Sequence, residues 1–168
     1  MASRLQVSPA EYLSTSFEGT DREYVRGEIV ERSVPDNPHS KTQGELIYRF
    51  RQLRDSHRFF ARPELRLRLA TDLYRIPDVS VFAGEEPAER VPSHPPLVAI
   101  EIMSPDDRYQ ALMEKLAEYE EWGVPHIWVI DPDRRTFAIY EAGTLRAVTQ
   151  LTLPDYPIEF SDELFSTC

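Results

Sequence analysis

With 168 residues, 41% of them hydrophobic, the chain is long enough for one buried core, and no apolar run reaches the roughly 18 residues a membrane helix needs. A net charge of −10 excludes a surface that coats nucleic acid mainly through its phosphates, because such surfaces are basic. A single cysteine, Cys168, excludes an internal disulfide, and Met1–Gln6 lacks the apolar segment of a signal peptide, so a cytoplasmic location is expected.

Ser8-Pro9-Ala10-Glu11 reads as a helix start: a serine cap, proline in the first turn and glutamate three residues after the cap. This short helix should end before Phe17. Glu23-Tyr24-Val25 and Glu28-Ile29-Val30-Glu31 flank Arg26-Gly27 and predict a hairpin. A helix follows from about His39 to Asp55, with Leu46, Phe50 and Leu53 on one face. Extending that face backwards brings His39, Thr42 and Gln43 onto it, so its first turns are polar. Such a polar inward end either abuts a site or only caps the helix; Glu45 falls to one side.

Leu65 to Leu69 alternates strictly with arginine and predicts a half-buried strand, and Ile76 to Phe82 the next. Ala83 to Pro96, rich in Gly, Glu and Pro, is a loop. Leu97 to Ile102 is nearly all apolar, as a strand covered on both faces would be. Ser104 then caps a helix that runs to Trp122 and stops at Gly123, with Asp106 and Asp107 as its first-turn acids. Lys115 borders the apolar face formed by Leu112, Leu116 and Tyr119. Strands are expected at Ile127–Ile130, Thr136–Tyr140 and Leu145–Leu153, with His126 at the edge of the core and His57 and His94 on the surface. No linker divides residues 1–168, which predicts a single α/β domain.

Asp78 and Glu101 each interrupt an otherwise apolar strand. A buried carboxylate is unfavourable unless it is paired or holds a metal. Two of them on neighbouring strands, with a backbone carbonyl at the sheet edge, supply the hard oxygen ligands that Mg²⁺ or Mn²⁺ prefers. Only two of the 19 basic residues are lysines, Lys41 and Lys115. A chain so rich in arginine keeps lysine where a compact ammonium is needed, which singles out Lys115 beside the two acids. Metal-assisted hydrolysis of a phosphodiester is the chemistry this set suits. The arginines between 49 and 68 form either a local basic patch or the solvated face of a helix and a strand.

Pro77-Asp78 followed by Glu101 is similar to the PD-(D/E)XK nuclease superfamily. More narrowly, Arg75–Phe82, Val98–Pro105, Lys115–Tyr119 and Gly123–Pro132, in that order, resemble the Uma-two family of restriction-endonuclease-like proteins. The likeness reaches back to Tyr24–Val30 and to the helix at His39. It implies a restriction-endonuclease-like core, a central mixed β-sheet flanked by helices, with an N-terminal helix and hairpin as an extension. It further implies Asp78, Glu101 and the Ile102 carbonyl as metal ligands, Mg²⁺ as cofactor, DNA as substrate and a homodimer; Asp78, Glu101 and Lys115, with His39 and Gln43 from the inward face of the helix, are the expected catalytic residues. One position departs from the pattern. The lysine expected two residues after the acid is Met103, and Lys115 on the next helix is where it could have migrated. A nuclease-fold module without catalysis, or a hydrolase of another phosphodiester, are the competing expectations.

Overall fold

The computed structural model describes residues 6–166; Cys168 and the Met1–Leu5 part of the leader reading lie outside them. Six strands form the main sheet: β3 (Phe59–Pro63), β6 (Val79–Ala83), β7 (Val98–Ile102), β8 (His126–Asp131), β9 (Thr136–Glu141) and β10 (Thr144–Val148). They lie in the order β10-β9-β8-β7-β6-β3. Only β7 and β8 run parallel, joined by helix α4 (Tyr109–Trp122), because parallel neighbours need a crossover. This is the expected mixed sheet.

The period-two alternation of a strand decides which helix each residue meets. Along β7, Val98, Ile100 and Ile102 pack with Leu46 and Phe50 of helix α2 (Asn37–Gln52). Ala99 instead packs with Leu116 and Tyr119 of α4 on the opposite face. Glu101 shares the parity of Ala99 and therefore points at α4. The sheet is sandwiched between the two helices, and the entirely buried Val98–Ile102 follows from that.

Helix α1 (Pro9–Ser14) begins with the expected capping box, Glu11 N–H donating to Ser8 Oγ at 3.2 Å and Ser8 N–H to Glu11 at 2.8 Å. The hairpin β1 (Glu23–Val25) and β2 (Glu28–Val30) turns at Arg26 and Gly27, both at positive φ. It joins β5 (Leu73–Arg75) and β4 (Leu67–Ala70) in a second, antiparallel sheet of order β2-β1-β5-β4.

Several boundaries differ from the expected ones. The strand expected from Ile76 starts only at Val79, since Pro77 has no N–H for a ladder and the Asp78 carbonyl accepts from Gln43 and from Glu64 N–H instead. Phe59–Pro63, not foreseen as a strand, pairs with β6 along the sheet edge, where a terminal proline is tolerated. The long helix ends at Gln52, and Arg54–His57 forms a separate turn of helix, α3. Leu145–Leu153 is not one strand: β10 stops at Val148, and Leu151–Thr152 (β11) pairs with Glu159–Phe160 (β12). Ser104 does not cap α4. Asp107 accepts from Ser104 N–H at 2.7 Å and closes a separate turn, so Asp106 and Asp107 precede the helix, which opens at Tyr109.

Gly123 closes α4 at φ +103°, a conformation in which any Cβ is strained. Gly123→Ala is expected to lower stability by about 1 kcal/mol in urea unfolding. An unchanged midpoint would mean that the turn relaxes at no cost. Among the described residues no helix is long and apolar enough to cross a membrane.

Candidate active site

Asp78 sits where β5 hands over to β6, between the two sheets. Register places it against Glu101: β6 and β7 pair Val79 with Ile100, and one step further brings Asp78 opposite Glu101. Both open into a cleft of about 480 Å³, also lined by Glu23, Arg32, His39, Ile102 and Lys115. Side-chain exposure there is only 8% for Asp78 and 9% for Glu101.

Asp78 is held from every side. Its Oδ2 accepts from Ile102 N–H at 2.7 Å, and its Oδ1 lies 3.2 Å from the Arg32 guanidinium and 3.3 Å from His39 Nε2. Gln43 donates to its main-chain carbonyl at 2.8 Å. The polar first turns of α2 thus lie against Asp78, with the apolar remainder in the core. Burial pushes the Asp78 carboxyl up, but the His39 hydrogen bond and charge, with Lys115 and the Ile102 N–H, outweigh it and hold the carboxyl below its ordinary range. For His39, burial pulls the ring down, and the bond to Asp78 more than reverses this.

Lys115 spends all three of its N–H donors: on Glu101 Oε1 at 2.9 Å, on Glu23 Oε1 at 2.8 Å and on the Ile76 carbonyl at 3.4 Å. Burial alone would lower its pKa, but Glu101, Glu23 and Asp78 raise it above the ordinary lysine value. It is a fixed ammonium, suited to stabilising charge and unsuited to accepting a proton. Glu101 Oε1 also accepts from Tyr119 O–H at 2.7 Å, whereas Oε2 has no hydrogen bond to the described residues. Burial raises the Glu101 carboxyl; Lys115 opposes this, but Asp78 and Glu23 add to it, and the result is about 7.

Four participants are not among the site residues expected from the sequence: Glu23, Arg32, Arg75 and Tyr119. Glu23 was legible only as a hairpin residue, yet it is 3% exposed and couples the second sheet to the cleft. The β1–β5 register sets it opposite Arg75, which it meets at 3.0 Å, and its Oε1 also accepts from Ile76 N–H. Arg75 continues to Glu118 at 2.6 Å. Tyr119 was assigned to the apolar face of α4, which does not distinguish a core tyrosine from one bonded to Glu101. A carboxylate beside an aromatic in a short strand, and one arginine among many, have no distinguishing pattern.

A hard divalent cation fits this donor set. Two neighbouring carboxylates raise each other's energy, one has an unbonded oxygen, and the Ile102 main chain lines the same cleft. Among the described residues no three His, Cys, Asp or Glu side chains form a ligand cluster, so protein side chains would supply two ligands. Mg²⁺ commonly accepts so few, taking the rest from water and substrate. Of the arginines between 49 and 68, Arg49 meets Glu45, Arg54 and Arg62 meet Glu86, and Arg66 meets Asp21, which favours the solvated face over the basic patch.

The fold is similar to that of a crystal structure described as "a putative nuclease belonging to DUF820" from Anabaena variabilis ATCC 29413. That protein is 24% identical, the match covers 95% of this chain and 98% of that one, and the TM-score is 0.81. No curated protein matches the chain. The model of the Uma2 family, described as "Putative restriction endonuclease", matches residues 9–162, nearly the whole length, and the chain therefore belongs to the Uma2 family of restriction-endonuclease-like nucleases.

Proposed function

We propose that this protein is a divalent-metal-dependent endonuclease hydrolysing DNA phosphodiester bonds, built as one nuclease-like domain over residues 1–168. The observation that carries the reading is the meeting of Asp78, just before β6, and Glu101 of the adjacent β7 in the lining of one cleft, with the Lys115 ammonium 2.9 Å from Glu101.

Asp78, Glu101 and the Ile102 carbonyl would hold Mg²⁺, or Mn²⁺ in its place. A cation held there would supply polarisation of a phosphoryl oxygen and a lower pKa for bound water. The remaining work belongs to the chain. The Ile102 N–H and His39 keep the Asp78 carboxylate ionised and aimed into the cleft, and Gln43 fixes its backbone. Tyr119 and Lys115 together pin one oxygen of Glu101 and leave the other outward. Lys115, held as an ammonium with its three donors engaged, acts through its charge, stabilising charge that develops on the phosphoryl group. Glu23, bonded to both Lys115 and Arg75, positions the lysine without touching substrate.

Calorimetry with Mn²⁺ tests the metal site without a guess about substrate. Wild type is expected to bind, and the Asp78→Ala/Glu101→Ala variant not to. Cleavage of duplex DNA in Mg²⁺ is then compared with single strands and small cyclic nucleotides. Hydrolysis of the small nucleotides alone would assign another phosphodiester as substrate, and metal binding with no cleavage of any would make the protein a nuclease-fold binding module.

A further inference from the structure

We infer that Arg32 is the cleft's own counter-cation and must release Asp78 Oδ1 before a divalent cation can bind there. This rests on the metal-site reading above. A carboxylate oxygen has about two acceptor directions. On Asp78 Oδ1 both are taken, one by Arg32 at 3.2 Å and one by His39 at 3.3 Å. Coordination through that oxygen requires one donor to leave.

His39 is poorly placed to move. It lies in the first turn of α2, its backbone N–H is capped by Asp36 at 3.0 Å, and its side chain is 5% exposed. Arg32 lies in the irregular stretch between β2 and α2, outside any helix or strand, with its side chain 9% exposed. Its grip is loose. One nitrogen reaches Asp78 at 3.2 Å and another reaches Glu64 at 3.4 Å, where a bidentate arginine–carboxylate pair would close to about 2.8 Å. Arg75, a few residues before Asp78, shows the contrast, with contacts of 2.6 and 3.0 Å. Glu64, 39% exposed, offers Arg32 a second carboxylate closer to solvent. The Asp78 carboxylate stays in place when Arg32 leaves, because Oδ2 remains bonded to Ile102 N–H. Arginine and metal are therefore alternative occupants of Asp78 Oδ1, and metal affinity through that oxygen is set by their exchange.

The test is Mn²⁺ calorimetry on wild type, Arg32→Met and Arg108→Met. Arg108 lines the same cleft, but its side chain has no ion pair among the described residues. Arg32→Met should bind Mn²⁺ about tenfold more tightly than wild type, and Arg108→Met should stay within about threefold. Equal affinity of Arg32→Met and wild type overturns the exchange, as does equal tightening in Arg108→Met, which would reveal only the loss of a nearby charge. If no protein binds Mn²⁺, the metal-site reading fails and this inference with it. A measurement on wild type guards against misfolding of the variant: the Arg32 Nε–H resonance should shift and gain mobility on Mg²⁺ saturation. A resonance unchanged while Mg²⁺ binds overturns the exchange.

Discussion

Lys115→Met is expected to lower the rate of DNA cleavage about a thousandfold while leaving Mn²⁺ binding measurable. The ammonium is the charged donor nearest Glu101 and stays protonated, so its removal takes away stabilisation of developing charge and spares the carboxylates that would hold the metal. The same change should destabilise the metal-free protein by about 3 kcal/mol, because Glu23 and Glu101, both buried, lose the cation between them. Those two effects are separable. Glu23→Gln/Lys115→Met removes one of the stranded charges and should recover part of the stability in guanidinium unfolding, with no recovery of cleavage. Wild-type cleavage by Lys115→Met would reduce the lysine to a structural ion pair. Recovery of cleavage by the double variant would mean that the single variant had failed only through misfolding.

What was legible in the sequence and what was not follows from where each signal resides. Asp78 and Glu101 stand out because a charge within a buried strand contradicts its surroundings, and two strands with one such residue each can be paired by inspection. His39 and Gln43 are legible from helical periodicity, which places them on the inward stripe before Leu46 without saying what they meet; they meet Asp78. Lys115 is legible as a scarce residue type at the border of an apolar face. The mixed sheet is legible because its apolar runs and the helix between β7 and β8 are local patterns. Glu23, Arg32 and Arg75 are contributed by the N-terminal hairpin, the stretch after it and β5. Their importance comes from the docking of the second sheet on the first, which no single segment encodes. Strand ends were misplaced for a related reason. Gln43 and Glu64 capture the Asp78 carbonyl, and Asp107 captures the Ser104 N–H, so a distant or side-chain partner overrides the local preference.

Without metal, stability is expected to fall as pH rises from about 5 to about 8, with much of the slope due to Glu101. Its carboxyl ionises near 7 in the folded protein, against an ordinary value of 4.5. Between those values the folded state holds a proton that the unfolded chain has released, so raising the pH favours unfolding. The loss approaches about 1.4 kcal/mol per pH unit where the difference is complete. His39, raised above 6.5 after burial is outweighed by its bond to Asp78, adds a slope of the same sign at the upper end. Asp78 and Glu23 act oppositely: both are held below their ordinary values, so their contribution is present above about pH 4 to 5 and is lost on acidification. A stability maximum near pH 5 follows. Unfolding of Glu101→Gln over the same range isolates the carboxyl, since the amide cannot ionise and only the His39 slope should remain. Mg²⁺ should flatten the wild-type curve, because a cation favours the ionised carboxylate and its binding strengthens as the proton leaves. If Glu101→Gln reproduces the wild-type slope, Glu101 is already ionised at pH 5, Lys115 and Tyr119 suffice to satisfy it, and the electrostatic case for a divalent cation in the cleft is lost.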